Sequence, residues 1–175
     1  KDGKRDLAFV NQSINSITVF LGNGMGMFPV QTNFSVGTAP IDLVLADLNG
    51  DGTTDLAVTN NSDASVGILL GNGAGNFDSQ ITYASVDHPS AIEVGDFNGD
   101  GKPDLAVTNN FSGTATIGIL LGQGTGVPKT NITYSAGEFI SGIASADYNG
   151  DGKDDLVFVG QVSTYLNILL SVPCP

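Results

Sequence analysis

Asp47-Leu-Asn-Gly-Asp-Gly-Thr-Thr-Asp-Leu56 recurs as Asp96-Phe-Asn-Gly-Asp-Gly-Lys-Pro-Asp-Leu105 and as Asp147-Tyr-Asn-Gly-Asp-Gly-Lys-Asp-Asp-Leu156, and a shortened copy, Asp2-Gly-Lys-Arg-Asp-Leu7, opens the chain. Oxygen side chains at positions 1, 3, 5 and 9 of a glycine-kinked loop have the spacing that a hard cation such as Ca²⁺ requires, with position 7 placed to offer a backbone carbonyl. An EF-hand starts in a similar way but needs a bidentate Glu at position 12 and flanking helices. Position 12 here is Val58, Val107 or Phe158, each within an apolar run. Asp, Asn and Gly also make tight turns with no metal, yet that alone does not explain three cassettes with the same acid at position 9. The expected cofactor is Ca²⁺, at three complete sites and a partial fourth.

The charge balance follows the same positions. Of 18 acidic residues, eleven (Asp2, Asp6, Asp47, Asp51, Asp55, Asp96, Asp100, Asp104, Asp147, Asp151 and Asp155) fall at candidate ligand positions. Four divalent ions would reduce the formal net charge of −12 to −4. Six scattered Lys and Arg give nucleic acid no electrostatic footing. Apolar runs such as Val66 to Leu70 and Ile117 to Leu121 are far shorter than the roughly 20 residues of a membrane helix. The start inside a motif places any targeting segment upstream.

A single cysteine, Cys174, forms no internal disulfide and leaves two readings, an inert tail thiol or pairing outside these residues. Five Asn-X-Ser/Thr sequons begin at Asn11, Asn33, Asn60, Asn110 and Asn131. They point toward a glycoprotein of the secretory route, although turn-rich sequences also generate sequons by accident.

The cassettes recur at 49, 49 and 51 residues, a period of propeller blades rather than of helical solenoids. Each is followed by a β-rich stretch, an Asn/Ser turn, a second apolar stretch and a glycine-rich turn, as in Leu56-Ala-Val-Thr59, Val66-Gly-Ile-Leu-Leu70 and Gly71-Asn-Gly-Ala-Gly-Asn-Phe77. A third segment ends near Tyr83 or Tyr134, and a fourth runs into the next cassette. No window carries apolar residues at i, i+3, i+4 and i+7 behind a cap, and Gly totals 24, so the chain reads as all-β. Small residues before each loop (Ala46, Gly95, Ala146) suit crowded strands near a propeller axis. The units fall at approximately 1–40, 41–90, 91–141 and 142–175 within a single segment, 1–175.

These residues resemble the FG-GAP/VCBS repeats, the β-propeller module at the head of integrin α-subunits and in many secreted microbial proteins. The likeness rests on the cassette, the Ala-Val-Thr-Asn after it and the Leu-Leu-Gly-Asn-Gly-x-Gly-x-Phe turn, and covers nearly the whole chain. It implies that each cassette is the hairpin between the first two strands of a four-stranded blade and holds one Ca²⁺. The implied ligands are Asp47, Asn49, Asp51, Thr53 (carbonyl) and Asp55; then Asp96, Asn98, Asp100, Lys102 (carbonyl) and Asp104; then Asp147, Asn149, Asp151, Lys153 (carbonyl) and Asp155. The opening copy keeps only Asp2, Lys4 and Asp6, a partial site without positions 1 and 3. Strands count as three, four, four and three, about three and a half blades where the family usually has seven. Either the chain is a fragment, or neighbouring copies complete its first and last blades.

No catalytic constellation is visible. Outside the loops stand Asp42, Asp63, Asp78, Asp87, Glu93, Glu138 and Asp154, of which Glu93 replaces Val44 and Ala144 of the matching strands and could face an axial channel. His88 precedes Pro89 in a turn, with no Cys or second His near it, and no Ser sits in a Gly-x-Ser-x-Gly elbow. The expectation is a non-enzymatic, extracellular, secreted or cell-surface module for protein or glycan recognition and cell adhesion. A structural scaffold or filament is the alternative, with an accessory domain of a secreted enzyme behind it. The aromatics available to a ligand are Tyr83, Tyr134, Phe97, Phe111 and Tyr148, against a packing role for most of them.

Overall fold

Each cassette folds as a hairpin because two of its glycines take left-handed backbone that other residues enter only with strain, at φ 75° and 82° for Gly50 and Gly52 and within a few degrees of these in the other two copies. The computed structural model describes residues 2–84, 87–111, 114–126, 128, 130–162 and 166–170. Cys174 lies outside them.

Four antiparallel sheets follow one another along the chain. The first holds β1 (Leu7–Asn11), β2 (Ser16–Leu21) and β3 (Val30–Ser35). The second holds β4 (Pro40–Ala46), β5 (Asp55–Asn60), β6 (Ser65–Leu69) and β7 (Ile81–Ala84). The third repeats it with β8 (Pro89–Gly95), β9 (Asp104–Phe111), β10 (Thr114–Leu121) and β11 (Thr130–Ser135). The last holds β12 (Ile140–Ala146), β13 (Asp155–Gly160) and β14 (Leu166–Leu169). These are partial propeller blades in the expected order of three, four, four and three strands, and no sheet closes on itself. The described residues contain no α-helix, only a 3-10 turn at Gln12–Ile14.

Register is the same in every cassette hairpin. Ala46 pairs with Asp55, Gly95 with Asp104 and Ala146 with Asp155, and each pairing slips near the start of its first strand, at Pro40, Pro89 or Ile140. The first strands lie side by side, β4 against β8 and β8 against β12. Space there is tight: a Cβ on Gly95 would come within 2.9 Å of both Asp154 Cβ and the Phe97 ring.

A middle blade buries both faces, which is why its second strand reads as a continuous apolar run rather than an alternating one. Leu56 and Val58 pack against Ile17 and Val19 of the first sheet, while Ala57 faces Ile92, Leu105 and Val107 of the third. A third core joins Ala106, Ile117 and Ile119 to Ile140 and Leu156 of the last sheet. Ile68, fully buried between the second and third sheets, tests this packing. Ile68→Val removes one methylene and is expected to cost about 1 kcal/mol in urea unfolding.

Candidate functional site: the Asp-x-Asn-Gly-Asp loops

The first acid of each loop is aimed by the backbone it precedes. Asp47 Oδ1 accepts from the amides of Gly50 (2.8 Å) and Asp51 (3.1 Å), and its Oδ2 from Gly52 (2.8 Å). Asp96 does the same with Gly99 (2.8 Å), Asp100 (3.0 Å) and Gly101 (2.7 Å). Asp147 takes Gly150 (2.7 Å), Asp151 (3.2 Å) and Gly152 (3.0 Å). At position 3, the Oδ1 atoms of Asn49, Asn98 and Asn149 accept from the amides of Asp51, Asp100 and Asp151. The position 5 acids accept in turn from Thr53, Lys102 and Lys153. Three loops of different sequence context thus reach one geometry. The Lys102–Asp100 ion pair is long, 3.9 Å, and solvent-exposed, and adds little.

The acid at position 9 plays a part that residue type alone does not disclose. Asp55, Asp104 and Asp155 are fully buried at the start of their strands. Asp55 Oδ2 accepts from Leu48 N at 2.9 Å and its Oδ1 from Gly71 N at 2.8 Å, tying the loop to the turn after β6. Asp104 joins Phe97 N (3.1 Å) to Gly122 N (2.7 Å), and Asp155 takes Tyr148 N at 3.1 Å. Asp6 keeps one arm of this clasp, from Gly22 N at 2.8 Å. Each clasped glycine sits flat against the chain: a Cβ on Gly22, Gly71 or Gly122 would overlap the carbonyl oxygen of Arg5, Thr54 or Pro103. A Leu-Leu-Gly turn signal marks these positions, but their role as clasp partners needs the structure. Gly71→Ala is expected to cost about 1–3 kcal/mol by forcing the turn off its seat, read from the midpoint of chemical unfolding.

Burial pushes the Asp104 carboxyl up to about 6, with the charges of Asp100 and Asp96 adding to it against the opposing amides of Gly122 and Phe97. Its folded pKa lies above the unfolded value, so the metal-free folded state binds the extra proton. The associated stability is complete below about pH 4 and is lost as pH rises through 6. Chelex-stripped protein is therefore expected to melt at a lower temperature at pH 7 than at pH 4.5, in calorimetry at matched ionic strength.

Among the described residues, no three His, Cys, Asp or Glu side chains converge on one point. The donor sets are nevertheless compatible with a hard cation. Each loop offers three carboxylates, an amide oxygen and a carbonyl, with no nitrogen or sulfur donor. A carboxylate has about four acceptor positions, so the amide bonds on positions 1 and 9 fix those groups without exhausting them.

Several residues outside the candidate ligand positions prove to be fasteners between blades. Asp42 Oδ2 accepts from Ile92 N (3.1 Å), and Asp154 Oδ2 from Asp96 N (2.8 Å). Asn110 exchanges two bonds of 2.9 Å with the backbone of Ile140, and Asn61 donates to Pro89 O at 2.9 Å. Glu93 is half-buried near Ser145 Oγ (3.5 Å), and burial, with the charge of Asp42 second, pushes its carboxyl above the usual range. His88 is an exposed turn residue with φ 55°, stacked on Phe111 at 4.5 Å. Of the five aromatics, Phe97 is core with Tyr134 packed against its cluster, Tyr83 packs against the core between the second and third sheets, and Phe111 and Tyr148 are exposed.

The side chains of four of the five sequons are described, and that of Asn131 lies outside the described residues. Asn60 is fully buried, and the amide nitrogens of Asn11 and Asn110 donate to Thr18 and to Ser90 and Ile140. Asn33 is exposed and accepts through its Oδ1 from Thr18 at 2.7 Å. No helix of the described residues is long and apolar enough to cross a membrane.

The chain's sequence matches none of the curated proteins. It does match the model of the FG-GAP-like repeat three times in overlapping spans, residues 1–58, 47–107 and 96–158, each running from one cassette into the strand after the next. Repeats of this family are typically non-catalytic. With the three spans covering residues 1–158 of 175, the chain belongs to the FG-GAP-like repeat family.

Proposed function

We propose that the chain is an extracellular, calcium-stabilised propeller module that serves recognition or adhesion toward a protein or glycan and performs no catalysis. The observation that carries the metal is the common geometry of the three loops, whose acids at positions 1, 5 and 9 are each held by backbone amides. Ca²⁺, when bound, would lie among Asp47, Asn49, Asp51, the Thr53 carbonyl and Asp55, and among the matching residues of the other two loops, where it offsets carboxylate repulsion. In this reading the ion braces the hairpin and does not meet a substrate. The position 9 acid passes the effect through its amide bonds to the turn on the far side of the blade. Among the sequons whose side chains are described, Asn33 is the one whose place on the outer strand accommodates a glycan.

The half-buried Glu93 lies beside Ser145, whose hydroxyl also bonds the Val94 carbonyl, and near Asp42, whose carboxylate is held by the Ile92 amide, while His88 stacks on Phe111. Exposed Tyr148, and the face of Phe111 turned away from His88, offer ring surface to a ligand. The test is a glycan and extracellular-protein array probed with the chain in 1 mM CaCl₂ and in EGTA. Calcium-dependent binding by a monomer supports recognition.

The scaffold reading is favoured by the two end faces. Leu7 and Phe9 are exposed at one end, and Val159, Leu166, Ile168 and Leu170 at the other. Concentration-dependent polymers in sedimentation velocity would select it.

A further inference from the structure

We propose that the Asp96 and Asp147 loops form one cooperative pair in which filling of either tightens the other, with Asp154 as the link and the Asp47 loop left out of the pair. The inference rests on the calcium reading above and concerns how those sites are regulated.

Asp154 stands at position 8 of its cassette, between two members of the candidate ligand set, the Lys153 carbonyl and Asp155. It reaches into the neighbouring loop twice. Its Oδ2 accepts from Asp96 N at 2.8 Å, and its own amide donates to Asp96 O at 3.1 Å. Asp96 is position 1 of that loop, the acid around which the amides of Gly99, Asp100 and Gly101 gather. The first strands of the two blades, β8 and β12, lie side by side and bring the loops together. Contact is close on both sides of the paired bonds. A Cβ on Gly95 would come within 2.9 Å of Asp154 Cβ and Oδ2, and one on Gly99 would lie 3.0 to 3.3 Å from the stem of Lys153. A displacement of either loop is therefore passed to the other through packed atoms and hydrogen bonds.

The Asp47 loop has no such link to the Asp96 loop. Position 8 of the Asp96 cassette is Pro103, which has neither an amide proton nor a side-chain oxygen to offer Asp47. Lys102 lies over Gly124 of its own blade rather than over Gly50. The third blade does bond to the Asp47 loop, from Gly126 N to Leu48 O at 3.0 Å, but that amide belongs to the turn after β10 and Leu48 is no candidate ligand. Three loops with one ligand pattern thus differ in what joins them.

An ion in the Asp147 loop fixes residues 153 and 155, and with them the carboxylate that holds Asp96 in place. The Asp96 loop then binds its own ion with less ordering still to be done, which is positive cooperativity. By linkage the effect is equal in the other direction. The Asp154 carboxylate, placed between the loops, also offsets the mutual repulsion of two divalent ions.

The test is a CaCl₂ titration of the intact, chelator-stripped, ¹⁵N-labelled chain, followed by NMR at the amides of Gly50, Gly99 and Gly150, one for each loop. The Asp96 and Asp147 loops are expected to fill at one midpoint. Asp147→Ala, which disables its own loop, should raise the midpoint at Gly99 by about fivefold or more and that at Gly50 by less than about twofold. In an Asp154→Ala background the Gly99 midpoint should no longer respond to Asp147→Ala. Asp154→Asn keeps an acceptor oxygen for Asp96 N and should retain the coupling. Hydrogen exchange in EGTA reads the link without metal: the Asp96 amide should lose about fivefold in protection in Asp154→Ala and little in Asp154→Asn. A Gly99 midpoint that Asp147→Ala leaves in place, or an Asp96 amide that exchanges equally in Asp154→Ala and the parent, would overturn the coupling while leaving the calcium reading standing. No calcium response at any of the three glycines would defeat the calcium reading itself, and the coupling with it.

Discussion

Asp104→Ala is expected to lower stability by about 4 kcal/mol, the largest loss from any single side chain of the loops. The carboxylate is fully buried and joins the amide of Phe97 to that of Gly122. Its removal leaves both amides without an acceptor away from water, at about 1–3 kcal/mol each. In a domain of this size such a loss corresponds to a fall in melting temperature of roughly 10 °C. Asp104→Asn keeps one acceptor oxygen and sheds a charge that burial disfavours, so in metal-free protein it should cost less than half as much. In calcium the two variants should converge, because both remove a carboxylate from the proposed ion. Calorimetry of both proteins, with and without EGTA, checks this. An Asp104→Ala protein as stable as the parent would show the clasp to be ornamental.

Calcium itself is expected to raise the melting temperature by about 10 °C between EGTA and 1 mM CaCl₂. With affinities near ~10⁻⁴ M, typical of weak extracellular sites, ~1 mM ion contributes about 1.4 kcal/mol per loop, or about 4 kcal/mol for three. The acids at positions 1, 5 and 9 would repel one another without the proposed ion, so its binding would be coupled to folding. Magnesium at the same concentration should do far less, since it demands a smaller, near-octahedral shell. Loss of the calcium effect in proportion to the loops disabled, by Asp47→Ala, Asp96→Ala and Asp147→Ala singly and together, would show that the stabilisation arises in the cassettes.

Much of the fold was legible because the repeat states it three times. Glycines at two fixed places in each cassette force a hairpin, and the apolar stretches after it are long enough for strands and too short for helices of ordinary length. The strand count of three, four, four and three could therefore be taken from sequence, and so could the crowding at Gly95. What the sequence hid was the double use of acids. A ligand carboxylate and one that accepts amide bonds across a blade are the same residue type, and only the pairing of Asp55 with Leu48 and Gly71 separates them. Asp42 and Asp154 counted as spare acids; both are fasteners to the next blade, a long-range contact that no local pattern encodes. Sequons were visible as three-residue patterns, yet the burial of Asn60 beside the exposure of Asn33 depends on where the sheets pack.

The most direct test counts bound ions. Isothermal titration of chelator-stripped chain with CaCl₂ should give about three sites per chain, falling by one with each of Asp47→Ala, Asp96→Ala and Asp147→Ala. A stoichiometry of zero, or one that these substitutions leave unchanged, would contradict the assignment of the loops as metal-bound braces.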